Sequence, residues 1–160
     1  MKPTLRFLFA HPAHFIALGF GSGLSPVAPG TAGTLAAWLL FPFIRPHFSE
    51  TGFLLFLVAA FIAGIYFCDR AGRALGVADH GAIVWDEIVS FWLVLMMTPE
   101  NWRWQLAAFI GFRFFDITKP PPARWIDSHM KHGFGVMLDD LAAAGYALLA
   151  LALFKAAFNG

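Results

Sequence analysis

Five carboxylates lie at the edges of apolar segments, where charged side chains are unusual: Asp86, Glu87, Asp116, Asp139 and Asp140. Asp86 and Glu87 begin one apolar segment, Asp139 and Asp140 begin another, and Asp116 lies near the end of a third. Ionised groups at membrane depth are costly, so they are usually paired, solvated or functional. Carboxylates brought together repel one another, and a divalent cation relieves that repulsion. Oxygen ligands without Cys or a His pair favour a hard ion, Mg²⁺ before Zn²⁺.

A simpler interpretation is that these acids only mark helix starts, where the positive end of the helix dipole favours negative charge. That interpretation suits an isolated aspartate. It suits two adjacent acidic pairs less well, and it does not account for Asp116 at a helix end. We therefore favour a metal site, and we expect Asp127, which follows a run of prolines, to be a solvated surface acid.

Arg113, Asp116 and Lys119 are spaced three residues apart, which places them on roughly one face of a helical turn. A run of three prolines then ends this helix. One interpretation is a local ion pair that fixes the helix end. The other is that Arg113 and Lys119 bind a phosphate while Asp116 holds the metal, and this segment alone leaves both open.

The Gly-rich segment 21–34 contains Pro29, Gly30 and Thr31 directly before an apolar stretch, with Thr31 as the expected N-cap. The free amides of a helix N-terminus after a Gly-rich loop form an anion site, and a plain re-entrant turn is the alternative. His80, in the loop before Asp86, is a minor candidate for a proton shuttle or metal ligand.

The composition identifies the class of protein that must position these residues. Hydrophobic residues make up 59% of the chain and charged residues 13%, with 19 Phe and 6 Trp. A soluble domain of 160 residues cannot bury so much apolar surface, so we expect one integral membrane domain over residues 1–160. Cys68 is the single cysteine, which excludes a disulfide scaffold, and a net charge of +1 offers no basic surface for nucleic acid.

Stretches without charge predict an all-α membrane bundle of about four to six helices, with an active site at the membrane interface. The segments expected to cross are 31–44, 51–68, 82–98, 104–118 and 139–158. Residues 21–30 are too rich in Gly, Pro and Ser for a helix. The piece before them, about 5–20, is expected to be retained in the mature chain and to lie at the interface.

This threading places seven Lys and Arg residues on one side of the membrane and three on the other. The positive-inside bias then puts the first side in the cytoplasm. Eight of the ten carboxylates fall on that same side, so segments far apart in sequence converge on one membrane face. If the N-terminal piece also spans, the basic count becomes five to five and gives no orientation.

Several ordered motifs resemble the phosphatidylglycerophosphatase A family over about residues 14–155. They are Gly19–Pro26, Pro29–Thr31, Val84–Glu87, Phe112–Asp116, Lys119–Pro120 and Gly133–Asp140. The resemblance implies a Mg²⁺-dependent, all-helical enzyme of the bacterial inner membrane, which removes the terminal phosphate of phosphatidylglycerophosphate to give phosphatidylglycerol. Departures from the family pattern affect local helix packing rather than chemistry, and they replace glycines by Ser90, His132 and Ala144.

The resemblance implies that Asp86, Glu87, Asp116, Asp139 and Asp140 are metal or catalytic groups and that Arg113 and Lys119 contact phosphate, but it leaves the role of each acid open. Together with the helix start at Gly30 and Thr31, these residues give the following expectations. The expected catalytic acids are Asp86, Glu87, Asp116 and Asp140. The expected Mg²⁺ ligands are Glu87, Asp139 and Asp140, and the expected phosphate contacts are Arg113, Lys119, Gly30 and Thr31. Asp86 or Asp116 is the expected general base, and a phosphoaspartate intermediate is left open.

Two other classes of function stay open at this point. The first is a small channel or transporter that uses the acids as a cation pathway, and the second is a non-catalytic lipid-binding membrane subunit. Acids at one membrane face, rather than along the helices, argue against the pathway. Release of phosphate from lipid in the presence of Mg²⁺ distinguishes an enzyme from both, and the oligomeric state is left open.

Overall fold

A computed structural model describes residues 2–159, and all regular structure within them is helical. The helices are α1 Leu5–Ala10, α2 Pro12–Ala17, α3 Pro29–Ile44, α4 Glu50–Leu75, α5 Trp85–Met97, α6 Trp102–Thr118, α7 Ala123–His129 and α8 Gly133–Asn159. Two short 3₁₀ helices, Gly19–Leu24 and Arg45–His47, flank α3. The predicted all-α class is therefore confirmed for the described residues.

Helix α5 is the centre of the fold because it is apolar on nearly every face, which is typical of an enclosed helix. Ten of its 13 residues are buried, and it packs against α3, α4, α6 and α8. Two indole N–H groups fix this packing. Trp92 Nε1 donates to the Ala37 carbonyl of α3 at 2.9 Å, and Trp85 Nε1 donates to the Ala60 carbonyl of α4 at 3.1 Å.

The outer helices expose apolar side chains. Helices α4 and α8 are long and apolar enough to cross a membrane. Exposed aliphatic residues also lie on the shorter outer helices, such as Leu39 of α3 and Ile110 of α6. The chain thus has the surface of a membrane-associated protein.

Three helix boundaries differ from the sequence expectation. Helix α4 continues past Cys68 to Leu75, because Ala71 and Leu75 pack in the core although Asp69, Arg70 and Arg73 lie in the same two turns. The segment after the prolines was expected to be a loop, but it contains α7. Helix α8 begins six residues before Asp139, at Gly133, where a Cβ would overlap the Ile65 carbonyl oxygen of α4. Asp139 and Asp140 therefore do not begin their helix.

The N-terminal half also differs in detail. The piece before the Gly-rich segment is two six-residue helices separated at His11, whose Nδ1 accepts from the Ala13 N–H at 3.0 Å. Thr31 is not an N-cap, because α3 begins at Pro29 and Ala28 stands in the cap position with a φ of 47°. Part of the segment expected to be non-helical forms the 3₁₀ helix Gly19–Leu24.

Candidate functional site

The structure brings three acids from two helices into one buried group. Asp86 and Glu87 come from the first turn of α5, and Asp140 comes from the second turn of α8. Each offers a carboxylate oxygen within 4.8 Å of the others. Their exposures are 4%, 9% and 3%, so solvent screens their mutual repulsion poorly. We call these three residues the acid cluster.

The acid cluster fits a hard divalent cation by a direct structural criterion. One oxygen of each member, namely Asp86 Oδ1, Glu87 Oε2 and Asp140 Oδ2, is buried and has no hydrogen-bond partner. Buried polar atoms are nearly always satisfied, so three unsatisfied oxygens on adjacent side chains indicate a ligand. Carboxylate oxygens in a group of this kind are suited to Mg²⁺ or a similar hard ion.

Arg113 of α6 lies beside the acid cluster. Its Nη1 is 3.5 Å from Glu87 Oε1 and also donates to Asp116 Oδ2, one helical turn away. The guanidinium is only 14% exposed, and its Nε–H is buried without an acceptor. Arg113 therefore forms the local ion pair with Asp116 through Nη1 and still has its Nε–H free to donate to an anion.

The N-terminus of α3 reaches the same place. A Cβ on Gly30 would overlap Glu87 Oε1 and lie 2.9 Å from Arg113 Nη2, so only glycine permits this approach. Pro29 has no N–H, and the N–H groups of Gly30 and Thr31 belong to the first turn, where no intrahelical acceptor exists. The helix start, Arg113 and the acid cluster thus adjoin one another.

Lys119 contacts a second group of acids and not the acid cluster. Its Nζ is 2.5 Å from Asp139 Oδ2, 3.2 Å from Asp127 Oδ1 and 3.7 Å from Asp79 Oδ2. Burial acts to lower the pKa of Lys119, but the Asp139 carboxylate and its neighbours outweigh that effect and raise the pKa. Lys119 is therefore charged, and its ammonium group supplies the cation for these three acids.

The predicted residues thus separate into two groups. Glu87 and Asp140 lie together as expected, but Asp139 faces Lys119, and Asp86 takes the third place in the acid cluster. Helix geometry turns adjacent residues by about 100°, which separates Asp139 from Asp140. Asp127, expected to be a solvated surface acid, instead forms ion pairs with Lys119 and Lys131.

Other residues have partners that the sequence did not indicate. His80 Nδ1 accepts from the Ala82 N–H at 3.1 Å, so His80 closes a turn of the loop before α5. Asp79 was not singled out from the sequence, because its contact with Lys119 joins residues 40 positions apart.

Ser90, whose spacing from Asp86 is one helical turn, is buried with an unpartnered hydroxyl.

Comparisons with known proteins agree over most of the chain. Residues 15–155 match the family described as Phosphatidylglycerophosphatase A. A Haemophilus influenzae protein named Phosphatidylglycerophosphatase A is 44% identical over 149 residues, covering 92% of this chain and 91% of the relative. An Escherichia coli protein of the same name is 42% identical, covering 86% of this chain and 80% of the relative.

A third relative, from Bacteroides thetaiotaomicron, carries a name that proposes phosphatidylinositol-3-phosphatase activity. It is 40% identical over 145 residues, covering 86% of this chain and 90% of the relative. No solved structure matches the chain.

Proposed function

Since the chain belongs to the phosphatidylglycerophosphatase A family, we propose that it removes the terminal phosphate of phosphatidylglycerophosphate with a divalent cation held by the acid cluster. The observation that carries the metal proposal is the set of three buried carboxylate oxygens without partners. Asp86, Glu87 and Asp140 would hold the ion, and Mg²⁺ suits their oxygen ligands. Such an ion, when bound, neutralises phosphoryl charge and makes a bound water more acidic.

Arg113 is the proposed anchor for the substrate phosphate. Its buried Nε–H has no acceptor in the described residues, and a phosphoryl oxygen provides one. Asp116 holds the guanidinium from the other side, so the fork is oriented before substrate arrives. The N–H groups of Gly30 and Thr31 add donors at the start of α3, next to Arg113.

The proposed reaction is a hydrolysis that needs only water as co-reactant. A water oxygen bonds to phosphorus while the bond from phosphorus to the glycerol oxygen breaks, and the freed oxygen gains a proton to become the alcohol of phosphatidylglycerol. A cluster carboxylate accepts the proton that the water loses. Asp86 suits this role better than Asp116, because Asp86 keeps its second carboxylate oxygen, Oδ2, when Oδ1 holds the ion, whereas Asp116 is already paired with Arg113.

Lys119 has a different proposed role from the phosphate contact that the resemblance implied. Its ammonium group is already shared by three carboxylates, at 2.5, 3.2 and 3.7 Å. A phosphate would have to compete with all three. We assign Lys119 to holding α6, α7, α8 and the loop before α5 together around the site.

We propose that the protein is a multi-pass protein of the bacterial inner membrane, with the acid cluster facing the cytoplasm. Apolar residues exposed on α3 and α6, as well as on α4 and α8, support a bundle surrounded by lipid. Helices α1 and α2 have six residues each, about 9 Å, which supports an interfacial position because the hydrocarbon core is about 30 Å thick. With α1 and α2 at the interface, one side of the membrane carries seven Lys and Arg residues and the other carries three, which supports a cytoplasmic position for the first side.

The direct test is phosphate release by the purified protein in mixed micelles containing Mg²⁺. We expect release from phosphatidylglycerophosphate to exceed release from phosphatidylinositol 3-phosphate, because two relatives named for the first lipid are more similar than the one named for the second. The reverse order would reassign the headgroup while keeping the lipid-phosphatase chemistry. Release from neither lipid would contradict the proposed function and favour a lipid-binding or ion-conducting protein.

A further inference from the structure

Ser90 is a buried hydroxyl that none of the contacts described so far explains. Its side chain lies in the middle of α5, the residue is 1% exposed, and Oγ has no hydrogen-bond partner. The two other buried hydroxyls of the described residues are satisfied within their own helices. Thr34 Oγ1 donates to the Gly30 carbonyl at 2.9 Å, and Thr98 Oγ1 donates to the Val94 carbonyl at 2.7 Å.

The position of Ser90 places its side chain on the same face of α5 as Asp86 and Glu87 of the acid cluster. It follows Asp86 by four residues and Glu87 by three, so it shares their helix face, with Cβ atoms typically about 5–6 Å apart. Helical Cα–Cβ bonds tilt toward the N-terminus, which on α5 is the direction of these two acids. Ser90 therefore lies one turn from the two carboxylates, toward the C-terminal end of α5.

The facing helix supplies no polar partner at that level. Asp140 is followed on α8 by Ala143 and Ala144, which lie one turn further along and are 1% and 0% exposed. Ser90 Oγ does not donate to the backbone carbonyl four residues earlier, which is the acceptor that Thr34 and Thr98 use. The polar side chains one turn away on its own helix face are those of Asp86 and Glu87. Asp86 Oδ1 is itself buried without a partner. Because both atoms lack a hydrogen-bond partner, they do not bond directly, and a single buried water suits two such atoms one turn apart.

Building on the proposed function, we propose that Ser90 is a positioning residue that forms the floor of the divalent-cation site. Its hydroxyl donates to a cluster carboxylate through one water and holds that carboxylate in the orientation that binds the ion. Outer hydrogen bonds of this kind orient metal ligands, and their loss typically weakens metal binding 10–100-fold. Ser90 itself touches neither substrate nor reacting atoms.

The test is direct binding of Mn²⁺, a hard divalent probe whose free concentration is read by electron paramagnetic resonance, to the purified full chain in detergent. Ser90→Ala removes one oxygen and keeps a good helix former, so loss of the helix cannot explain an effect. We expect Mn²⁺ affinity to fall by at least about 10-fold. Thr98→Val is the matched control, because it removes a buried hydroxyl at the other end of α5, and we expect unchanged affinity.

Thermal unfolding of the ion-free protein is the second measurement, and it reports whether the Ser90 hydroxyl only destabilises the fold. If the Ser90 hydroxyl is merely unsatisfied, its removal raises the melting temperature and leaves Mn²⁺ affinity unchanged, which would overturn the inference. If the unaltered protein binds no Mn²⁺, the metal in the proposed function fails, and the role of Ser90 fails with it. Binding by the unaltered protein with equal affinity in Ser90→Ala rejects only the role of Ser90.

Discussion

Asp139 and Asp140 are adjacent in sequence and have different partners. Asp139 pairs with Lys119 at 2.5 Å, whereas Asp140 faces Asp86 and Glu87 and keeps one buried oxygen free. An unpaired buried carboxylate destabilises the folded protein, so such a group is retained where a bound ion or substrate offsets the destabilisation. At the scale of single residues, the metal proposal therefore rests on Asp140 more than on its neighbour.

Asp140→Asn should reduce the rate of phosphate release at least about 100-fold, by analogy with the loss of one electrostatic catalytic group. The substitution keeps the side-chain size and removes one ligand charge. It should leave the protein folded and membrane-inserted, because it relieves repulsion with Glu87 and Asp86. Phosphate release and detergent-extracted yield are the measurements.

Glu100→Gln is the control for this substitution, because Glu100 is exposed in the loop between α5 and α6, at the opposite end of the bundle. Its activity should equal that of the unaltered protein. Asp127 would be a poor control, since it contacts Lys119. Equal rates for Asp140→Asn and Glu100→Gln would remove Asp140 from the site, and failed insertion of Asp140→Asn would assign it a purely structural role.

Gly30→Ala should abolish most activity without weakening α3. The new Cβ would overlap Glu87 Oε1 and crowd Arg113, while alanine favours a helix by about 1 kcal/mol over glycine. Gly111→Ala in α6 is the matched control, because open space surrounds a Cβ there. Phosphate release by Gly30→Ala should therefore fall while its thermal unfolding stays close to that of the unaltered protein. Full activity in Gly30→Ala would show that the start of α3 does not adjoin the reacting group.

At the scale of elements, Lys119 joins four parts of the chain. It ends α6 in a left-handed conformation with a φ of 44°, and its ammonium group contacts Asp79 of the loop before α5, Asp127 of α7 and Asp139 of α8. Those contacts hold α8 in the register that points Asp140 into the acid cluster.

Lys119→Met should destabilise the protein by about 1–3 kcal/mol, because it leaves partly buried carboxylates without a cation. Lys119→Arg should recover part of the loss, since the charge is kept. The measurement is thermal unfolding in detergent, with Lys155→Met, an exposed lysine near the end of α8, as the control. A melting temperature unchanged by Lys119→Met would show that these ion pairs contribute nothing to the fold.

The sequence predicted the features that depend on composition, such as the helical fold. It was less informative about the rotation of each helix about its own axis. Low charge and the lack of an alternating pattern predicted helices. The spacing of Arg113 and Asp116 left a local ion pair as one of two interpretations, and the structure shows that ion pair. The different partners of Asp139 and Asp140 depend on the rotation of α8 about its axis, to which the close approach of Gly133 to α4 and the contact of Lys119 with Asp139 both contribute. Contacts such as Lys119 with Asp79 join distant segments and appear only in the folded chain.

At the scale of the whole molecule, the acid cluster lies at one end of a bundle whose sides are apolar. Leu55 of α4, Leu39 of α3 and Leu153 of α8 are 65%, 64% and 63% exposed, which is the pattern of a surface in contact with lipid. A headgroup at the membrane surface would reach the cluster while its acyl chains stay among the lipids.

A single cysteine at Val77, in a Cys68→Ala background, should be shielded from an impermeant thiol reagent in intact cells. Val77 is 50% exposed in the loop after α4, on the face that carries the acid cluster, whereas Cys68 is fully buried. A cysteine at Glu100, exposed at the other end, should react in intact cells. Labelling of the first site in intact cells, with protection of the second, would invert the orientation.

The central claim is that three buried acids hold a hard divalent cation for lipid phosphate hydrolysis. The most direct measurement is phosphate release from phosphatidylglycerophosphate before chelation, after exhaustive removal of metals with EDTA, and after Mg²⁺ is added back. We expect chelation to abolish release and Mg²⁺ to restore it, because one buried carboxylate oxygen each of Asp86, Glu87 and Asp140 has no hydrogen-bond partner among the described residues. Full activity in the chelated protein would contradict it.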